Sequence, residues 1–122
     1  MELVRIETER LILREFTQDD MEAFFKIYSD EKITRFLPWY PVKSMQEALD
    51  FFEERYVHSN DYKYAICLKE NNVPIGYVNV CMDDSHDFGY GLLEEYWRQG
   101  IVSEAERAVI EQLRKDGLPY IT

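Results

Sequence analysis

Cysteine and histidine, the usual ligands of zinc, are scarce in this sequence. Only two cysteines and two histidines occur among its 122 residues. Cys67 and Cys81 lie in strand-like apolar stretches, and no further Cys or His stands at metal-ligand spacing around them. We therefore expect both cysteines to be buried, reduced thiols and expect no metal site.

Long apolar runs, a secretion leader and an excess of basic residues are also missing. No apolar stretch approaches the roughly 18 residues of a membrane span, and the opening MELVRIETER carries charges throughout. The 14 basic and 24 acidic residues give a formal net charge of −10. We therefore expect a cytoplasmic protein without a membrane or nucleic-acid partner, whose charge suits a cationic substrate.

Apolar residues, by contrast, are plentiful. Hydrophobic residues make up 46% of the chain and aromatic residues 15%, which is typical of a globular protein. A chain of 122 residues can bury one core and is too short for two. We expect residues 1–122 to form a single domain.

The first half of the chain predicts one strand and two helices. The run RLILREFT, from Arg10, has the pattern of a strand. Thr17 with Asp20, and then Ser44 with Glu47, are capping signals for two helices. The predicted apolar faces are Met21, Phe24, Phe25 and Tyr28 on the first helix, and Met45, Leu49, Phe52 and Tyr56 on the second.

The second half predicts a meander followed by a helix. Short turns separate YKYAICLK, PIGYVNVCM and DFGYGLL, which indicates three antiparallel strands. A helix is expected from about Gly100 to Lys115, ended by Gly117, and LPYIT opens a further strand, parallel to its neighbour. This order predicts an α/β domain with a mixed, mostly antiparallel sheet flanked by helices.

The stretch YWRQGIVSEAE places a glycine turn directly before that last helix. A helix N-terminus offers unpaired N–H groups and the positive end of its dipole, which suit an anion such as phosphate. Arg98 adds positive charge, Gly100 allows close approach, and Ser103 caps the helix or donates a hydroxyl. The alternative is that Gly100 only punctuates the chain. Neither a P-loop nor a Gly-x-Gly-x-x-Gly motif is present.

Three stretches together resemble a known family: ETERLILREFTQDD, PIGYVNV and FGYGLLEEYWRQGIVSEAE. The whole chain is similar to the GNAT superfamily of acyl-CoA N-acyltransferases, and particularly to the branch that includes ribosomal-protein N-terminal acetyltransferases. The opening of that branch, Thr-x-Arg-Leu-x-Leu-Arg, is matched by Thr8, Arg10, Leu11, Leu13 and Arg14.

The resemblance implies a site for acetyl-CoA and no metal. Backbone amides would bind the CoA pyrophosphate at Arg98, Gln99, Gly100, Ile101, Val102 and Ser103. The strand before them would pair with the amide groups of pantetheine at Gly91, Leu92 and Leu93, although Gly91 and Leu92 also suit an ordinary strand. Val102 departs from the small residue that the family has there, and its branched side chain is expected to crowd the pyrophosphate.

Residues for the chemistry are implied in the same way. Asp87 matches a carboxylate that helps to deprotonate the acceptor amine, with His86 beside it, and both also suit a solvated turn. Trp39 and Tyr40 match the loop that closes over the acceptor, or else are core aromatics. The tyrosine that serves as general acid in the family has no counterpart here, and Tyr120 does not match its position.

The expected function is transfer of an acetyl group from acetyl-CoA to a primary amine by direct attack. A protein N-terminus ranks first as acceptor, and a polyamine or an aminoglycoside also suits an acidic chain. The rival is a non-catalytic acyl-CoA-binding or interaction module. The resemblance further implies that the fold lacks its last third, so that either a longer protein supplies that third or a second copy completes the sheet in a homodimer.

Overall fold

An antiparallel sheet forms the centre of the structure. The computed structural model describes residues 5–34, 41–57, 62–80 and 88–117. Within these ranges the strands follow one another across the sheet in chain order, and each pairs antiparallel with the next. They are β1 (Ile6–Glu7), β2 (Leu11–Arg14), β3 (Tyr62–Leu68), β4 (Pro74–Val80) and β5 (Phe88–Leu92).

Helices cover both faces of the sheet. They are α1 (Met21–Tyr28), α2 (Glu31–Thr34), α3 (Met45–Phe52) and α4 (Ile101–Lys115). Two short 3-10 turns, Gln18–Asp20 and Glu94–Tyr96, precede α1 and α4, and a π-helical turn, Glu53–Val57, extends α3. α1 packs on β4 and α3, whereas α4 packs on β2 and β4.

Aromatic side chains fill the layer between α1 and the sheet. The ring of Tyr28 stacks on the ring of Tyr77, with 5.1 Å between centroids and 14° between planes. Phe24 meets Phe16 and Phe52 edge to face. Such ring pairs add to the free energy of burial, by about 0.5–1.5 kcal/mol each, so they fix the position of α1 over β4.

The opposite face is built on a regular stripe of α4. Every fourth residue of this helix is buried, which is the period of an amphipathic helix: Ile101, Ala105, Val109 and Leu113. On β2 the alternating residues Leu11 and Leu13 are also fully buried. Because side chains alternate between the faces of a strand, Ile12 and Arg14 point to the α1 side.

The predicted meander and the α/β class are confirmed by β3, β4 and β5. The predicted last helix is confirmed as α4, and Gly117 follows it with φ +76°. Burial of the Cys67 thiol is confirmed, and that burial raises its pKa to about 11. Cys81 and the strand predicted from LPYIT lie outside the described residues.

Three features differ from the sequence expectations. The short β1 and α2 were not predicted, because two and four residues carry too little periodicity to detect. The predicted face of α3 is wrong at Met45 and Leu49, which are 39% and 36% exposed. Phe52 is buried as predicted, and Ala48, which the apolar pattern did not include, is buried with it.

A charged pair holds the start of α1 against the sheet. The Arg14 guanidinium donates to both Asp20 oxygens, at 2.7 and 3.0 Å. It also donates to the side chain and the carbonyl of Asn72, in the β3–β4 turn. Asp20 accepts the Thr17 N–H as well, at 2.8 Å. Burial opposes ionisation of Asp20, but the hydrogen bonds from Arg14 and Thr17 outweigh it and lower the pKa.

This pair makes stability depend on pH. Because the pKa of Asp20 is lowered by folding, its contribution is present above the pKa of the unfolded chain and is lost as pH falls through the folded pKa. We expect Asp20→Asn to reduce the free energy of unfolding by about 2 kcal/mol at neutral pH and by less in acid. Urea unfolding at several pH values measures this, and the exposed neighbour variant Asp19→Asn should match the parent protein throughout.

Candidate functional site

Strand β5 pairs with β4 on one side, and no other strand of the described residues pairs with its second side. The N–H of Leu93 donates to the Ile75 carbonyl at 3.0 Å, and Gly91 stands opposite Tyr77 in the same register. Backbone groups of an antiparallel strand alternate between its two sides. The N–H and C=O of Leu92 therefore point away from β4, whereas Gly91 pairs within the sheet. The Leu93 N–H also bonds to β4, but the Leu93 carbonyl accepts the Tyr96 N–H at 2.9 Å.

Trp97 covers part of this free side. Its indole N–H donates to the Leu92 carbonyl at 2.7 Å, and the residue keeps 39% of its surface exposed. The 3-10 turn Glu94–Tyr96 brings the ring back to the strand, and the Trp97 N–H donates to the Glu94 carbonyl at 3.0 Å. The Leu92 carbonyl is thus satisfied, and no hydrogen bond from the Leu92 N–H is found within the described part of the chain.

A left-handed turn connects Trp97 to α4. Arg98 has φ +64° and Gly100 has φ +76°. The first helical hydrogen bond runs from the Glu104 N–H to the Gly100 carbonyl, at 3.0 Å. The N–H groups of residues 101–103 come before it, so they have no partner within the helix. Together with the helix dipole, they form a site suited to an anion.

Several predicted cofactor residues meet at one cavity. It has a volume of about 310 Å³ and is lined by Lys32, Ile33, Tyr90, Gly91, Leu92, Trp97 and Val102. The predicted Arg98, Gln99 and Ser103 are exposed on the turn. The Ile101 side chain instead enters the core and is 2% exposed, so only its N–H belongs to the site. Val102 is half-buried at the cavity wall.

The Tyr77 ring of β4 lies close to the backbone of β5 at Gly91. A β-carbon on Gly91 would lie 2.6 Å from the Tyr77 ring and 2.7 Å from the Ile33 side chain. Tyr77 is 2% exposed, and its hydroxyl has no hydrogen-bond partner in the structure as described here. Burial raises its pKa to about 12, so the phenol stays protonated at neutral pH.

Sequence reasoning missed the contacts around the turn. Ile33 reaches the cavity from the unpredicted α2, and Lys32 beside it pairs with Glu94. Arg10 was part of the quoted N-terminal motif, but nothing in the sequence linked it to Gln99, whose carbonyl accepts its Nη1 at 2.9 Å. These contacts join residues far apart in the sequence, so local sequence patterns could not reveal them.

Four residues were predicted to take part in proton transfer or to contact the acceptor amine. Asp87, His86, Trp39 and Tyr40 all lie outside the described residues. Within residues 5–34, 41–57, 62–80 and 88–117, no group of three or more His, Cys, Asp or Glu side chains could hold a metal ion. None of the helices in that same part of the chain has both the length and the apolarity that crossing a membrane requires.

The structure is an α/β domain in which a sheet edge, a glycine turn and a helix N-terminus lie side by side. The chain belongs to the acetyltransferase (GNAT) domain family, whose model matches residues 10–122. The GNAT fold expected from the sequence is thereby confirmed.

Known proteins agree with this assignment. The uncharacterized N-acetyltransferase YoaA of Bacillus subtilis (strain 168) is 29% identical over 112 residues, which are 86% of this chain and 63% of that protein. An acetyltransferase (GNAT family) from Bacillus anthracis has the same fold, with a TM-score of 0.78 at 22% identity over 94% of this chain and 69% of its own.

A third relative carries a more specific name. The ribosomal-protein-S5-alanine acetyltransferase from Vibrio fischeri aligns with a TM-score of 0.64 at 21% identity, over 93% of this chain and 69% of its own. At this identity the likeness shows the fold alone. The chain spans 62% to 64% of the length of three curated relatives that it matches.

The close approach at Gly91 yields a prediction. We expect Gly91→Ala to reduce the free energy of unfolding by about 1–3 kcal/mol, since its β-carbon would overlap the Tyr77 ring and Ile33. Gly89 on the same strand is the control, because a β-carbon there meets nothing within 4 Å. Chemical unfolding of both variants measures the difference, and equal stabilities would contradict the packing described.

Proposed function

We propose that this protein transfers an acetyl group from acetyl-CoA to a primary amine. The turn before α4 carries the proposal, because Arg98 and Gly100 are left-handed there and the N–H groups of residues 101–103 are free of helical partners. Family membership supports acetyl-CoA as the molecule that this turn binds. In the proposed complex the pyrophosphate contacts backbone amides from Arg98 through Ser103.

The pantetheine arm would follow the free side of β5. The Leu92 N–H points away from β4 and would donate to the arm. The Leu92 carbonyl would not take part, because it already accepts the Trp97 indole N–H. Gly91 contributes by lacking a side chain, since its backbone groups are paired with β4, and both backbone groups of Leu93 are bonded as well, to Ile75 and Tyr96. Val102 lines the cavity, and its branched side chain would leave the pyrophosphate less room than a smaller residue would.

Bound acetyl-CoA supplies a thioester as the acetyl donor. In the transfer, a bond forms from the amine nitrogen to the acetyl carbon, the carbon–sulfur bond breaks, and the thiolate takes up a proton. The chain must hold the amine in place and accept the proton that it loses. We propose Asp87 for this proton, directly or through water, with His86, Trp39 and Tyr40 around the acceptor.

A protein N-terminus is our first choice of acceptor. The opening Thr8-x-Arg10 resembles that of the branch that includes ribosomal-protein N-terminal acetyltransferases, which supports this choice, and the name of the Vibrio fischeri neighbour agrees with it. A net charge of −10 also favours a cationic amine such as a polyamine or an aminoglycoside. The rival function is binding of acyl-CoA without catalysis, which Val102 favours.

Two glycines with the same backbone angle test the anion site. Gly100 and Gly117 both have φ +76°, at opposite ends of α4. We expect an alanine at either position to reduce the free energy of unfolding by about 1 kcal/mol. Only Gly100→Ala should weaken CoA binding, by about tenfold, because its β-carbon lies where phosphate approaches the amides. Calorimetric titration with CoA decides, and equal affinities would remove this turn from the site.

Catalysis is tested by release of free thiol from acetyl-CoA. We expect release with at least one amine from a panel of peptides, polyamines and aminoglycosides. Asp87→Asn should lower the rate at neutral pH, by about 10²-fold, and recover part of it in alkali, where the amine is already neutral. CoA binding without release by any amine would favour the binding module. An unchanged pH–rate profile in Asp87→Asn would leave Asp87 as a turn residue.

A further inference from the structure

A carboxylate and a guanidinium lie together beside the turn before α4. The Arg10 Nε donates to Oε1 of Glu104 at 2.8 Å, and Nη2 lies 2.8 Å from the same oxygen. The backbone N–H of Arg10 donates to Oε2 at 3.2 Å, and the Thr8 hydroxyl donates to that oxygen too. Glu104 is therefore held by two residues that lie 94 and 96 positions earlier in the chain.

The same guanidinium reaches the backbone of the turn. Its Nη1 donates to the Gln99 carbonyl at 2.9 Å. A β-carbon on Gly100 would lie 3.7 Å from its Nη2. Arg10 thus contacts the turn at Gln99 and the first turn of the helix at Glu104, and no other described side chain donates to the carbonyl between the two left-handed residues.

Glu104 is poorly placed for a protein that binds a phosphate. Burial opposes its ionisation, but the hydrogen bonds from Thr8 and Arg10 outweigh it, so that the pKa of Glu104 is lowered and the carboxylate is charged at neutral pH. Its charge stands within one helical turn of residues 101–103, whose N–H groups attract an anion. Without a nearby cation, this carboxylate would repel the pyrophosphate.

We propose that Arg10 is a positioning residue for the CoA pyrophosphate, which holds the Gln99 carbonyl in place and neutralises Glu104. Thr8 completes the arrangement by fixing the second oxygen of the carboxylate. This inference rests on the proposed function, and it assigns a task to the N-terminal motif, which sequence comparison alone leaves without one.

A double-mutant cycle measured by calorimetric titration with CoA tests the proposal. Arg10→Gln should weaken CoA binding by about tenfold, because the turn loses its tether and Glu104 loses its cation. Adding Glu104→Gln to Arg10→Gln should restore binding by about threefold, since the repulsive charge is gone. Arg10→Lys, which keeps the charge without the fork, should lie between the parent protein and Arg10→Gln.

Arg107→Gln is the matched control, because it removes the same charge from an exposed position on α4. It should change CoA affinity by less than about twofold, since a charge that is exposed to water interacts only weakly with other charges. A folded Arg10→Gln variant that binds CoA as the parent does would overturn the proposal. A double variant that binds no better than Arg10→Gln would overturn the neutralising role of Arg10.

Hydrogen exchange separates this inference from the proposed function. In the protein without CoA, Arg10→Gln should speed amide exchange at residues 99–104 and leave the far end of α4 unchanged. If the parent protein does not bind CoA, the proposed function fails and the role toward the pyrophosphate fails with it, whereas faster exchange in the variant would still show that Arg10 holds the turn in place. Unchanged exchange at these residues would overturn that role.

Discussion

Two guanidinium groups at the ends of one short strand hold this structure together. Arg10 precedes β2 and reaches the turn before α4, while Arg14 ends β2 and reaches the start of α1 and the β3–β4 turn. Each one joins segments that are distant in the sequence, and each is matched by a carboxylate, Glu104 or Asp20. Because a planar guanidinium donates in fixed directions, these pairs set orientation as well as distance.

The two faces of the sheet pack against different helices. On one face the Tyr77 ring stacks on Tyr28 of α1 and also lies against Gly91 of β5. The absence of a side chain at Gly91 leaves room for this ring and for Ile33 of α2. On the other face α4 is set by a stripe of buried residues, with Ala105 fully buried at its centre. The turn between β5 and α4 is held at both ends by packing, so its amides are organised before any anion arrives.

Local signals account for what could be predicted from the sequence. Capping residues and apolar periodicity located α1 and α4, and a glycine at each end of α4 marked its limits. The family resemblance supplied the fold and the turn at Gly100. The capping and apolar patterns also located α3 and its cap at Ser44, but they misassigned part of its buried face, where Ala48 is buried and Leu49 is exposed. A pattern of apolar residues does not tell which of them meets the neighbouring helix.

Contacts that cross the chain could not be predicted in the same way. The Leu92 carbonyl accepts the Trp97 indole N–H, which the 3-10 turn Glu94–Tyr96 brings back to the strand. Likewise, nothing local in the run around Thr8 indicates that its partner is Glu104. The proposed anion site therefore combines a local part, the glycine turn before α4, with a distant part, the Arg10 guanidinium that pairs with Glu104. The local part resembles a motif and is visible in the sequence, whereas the distant part appears only once the sheet has brought β2 beneath α4.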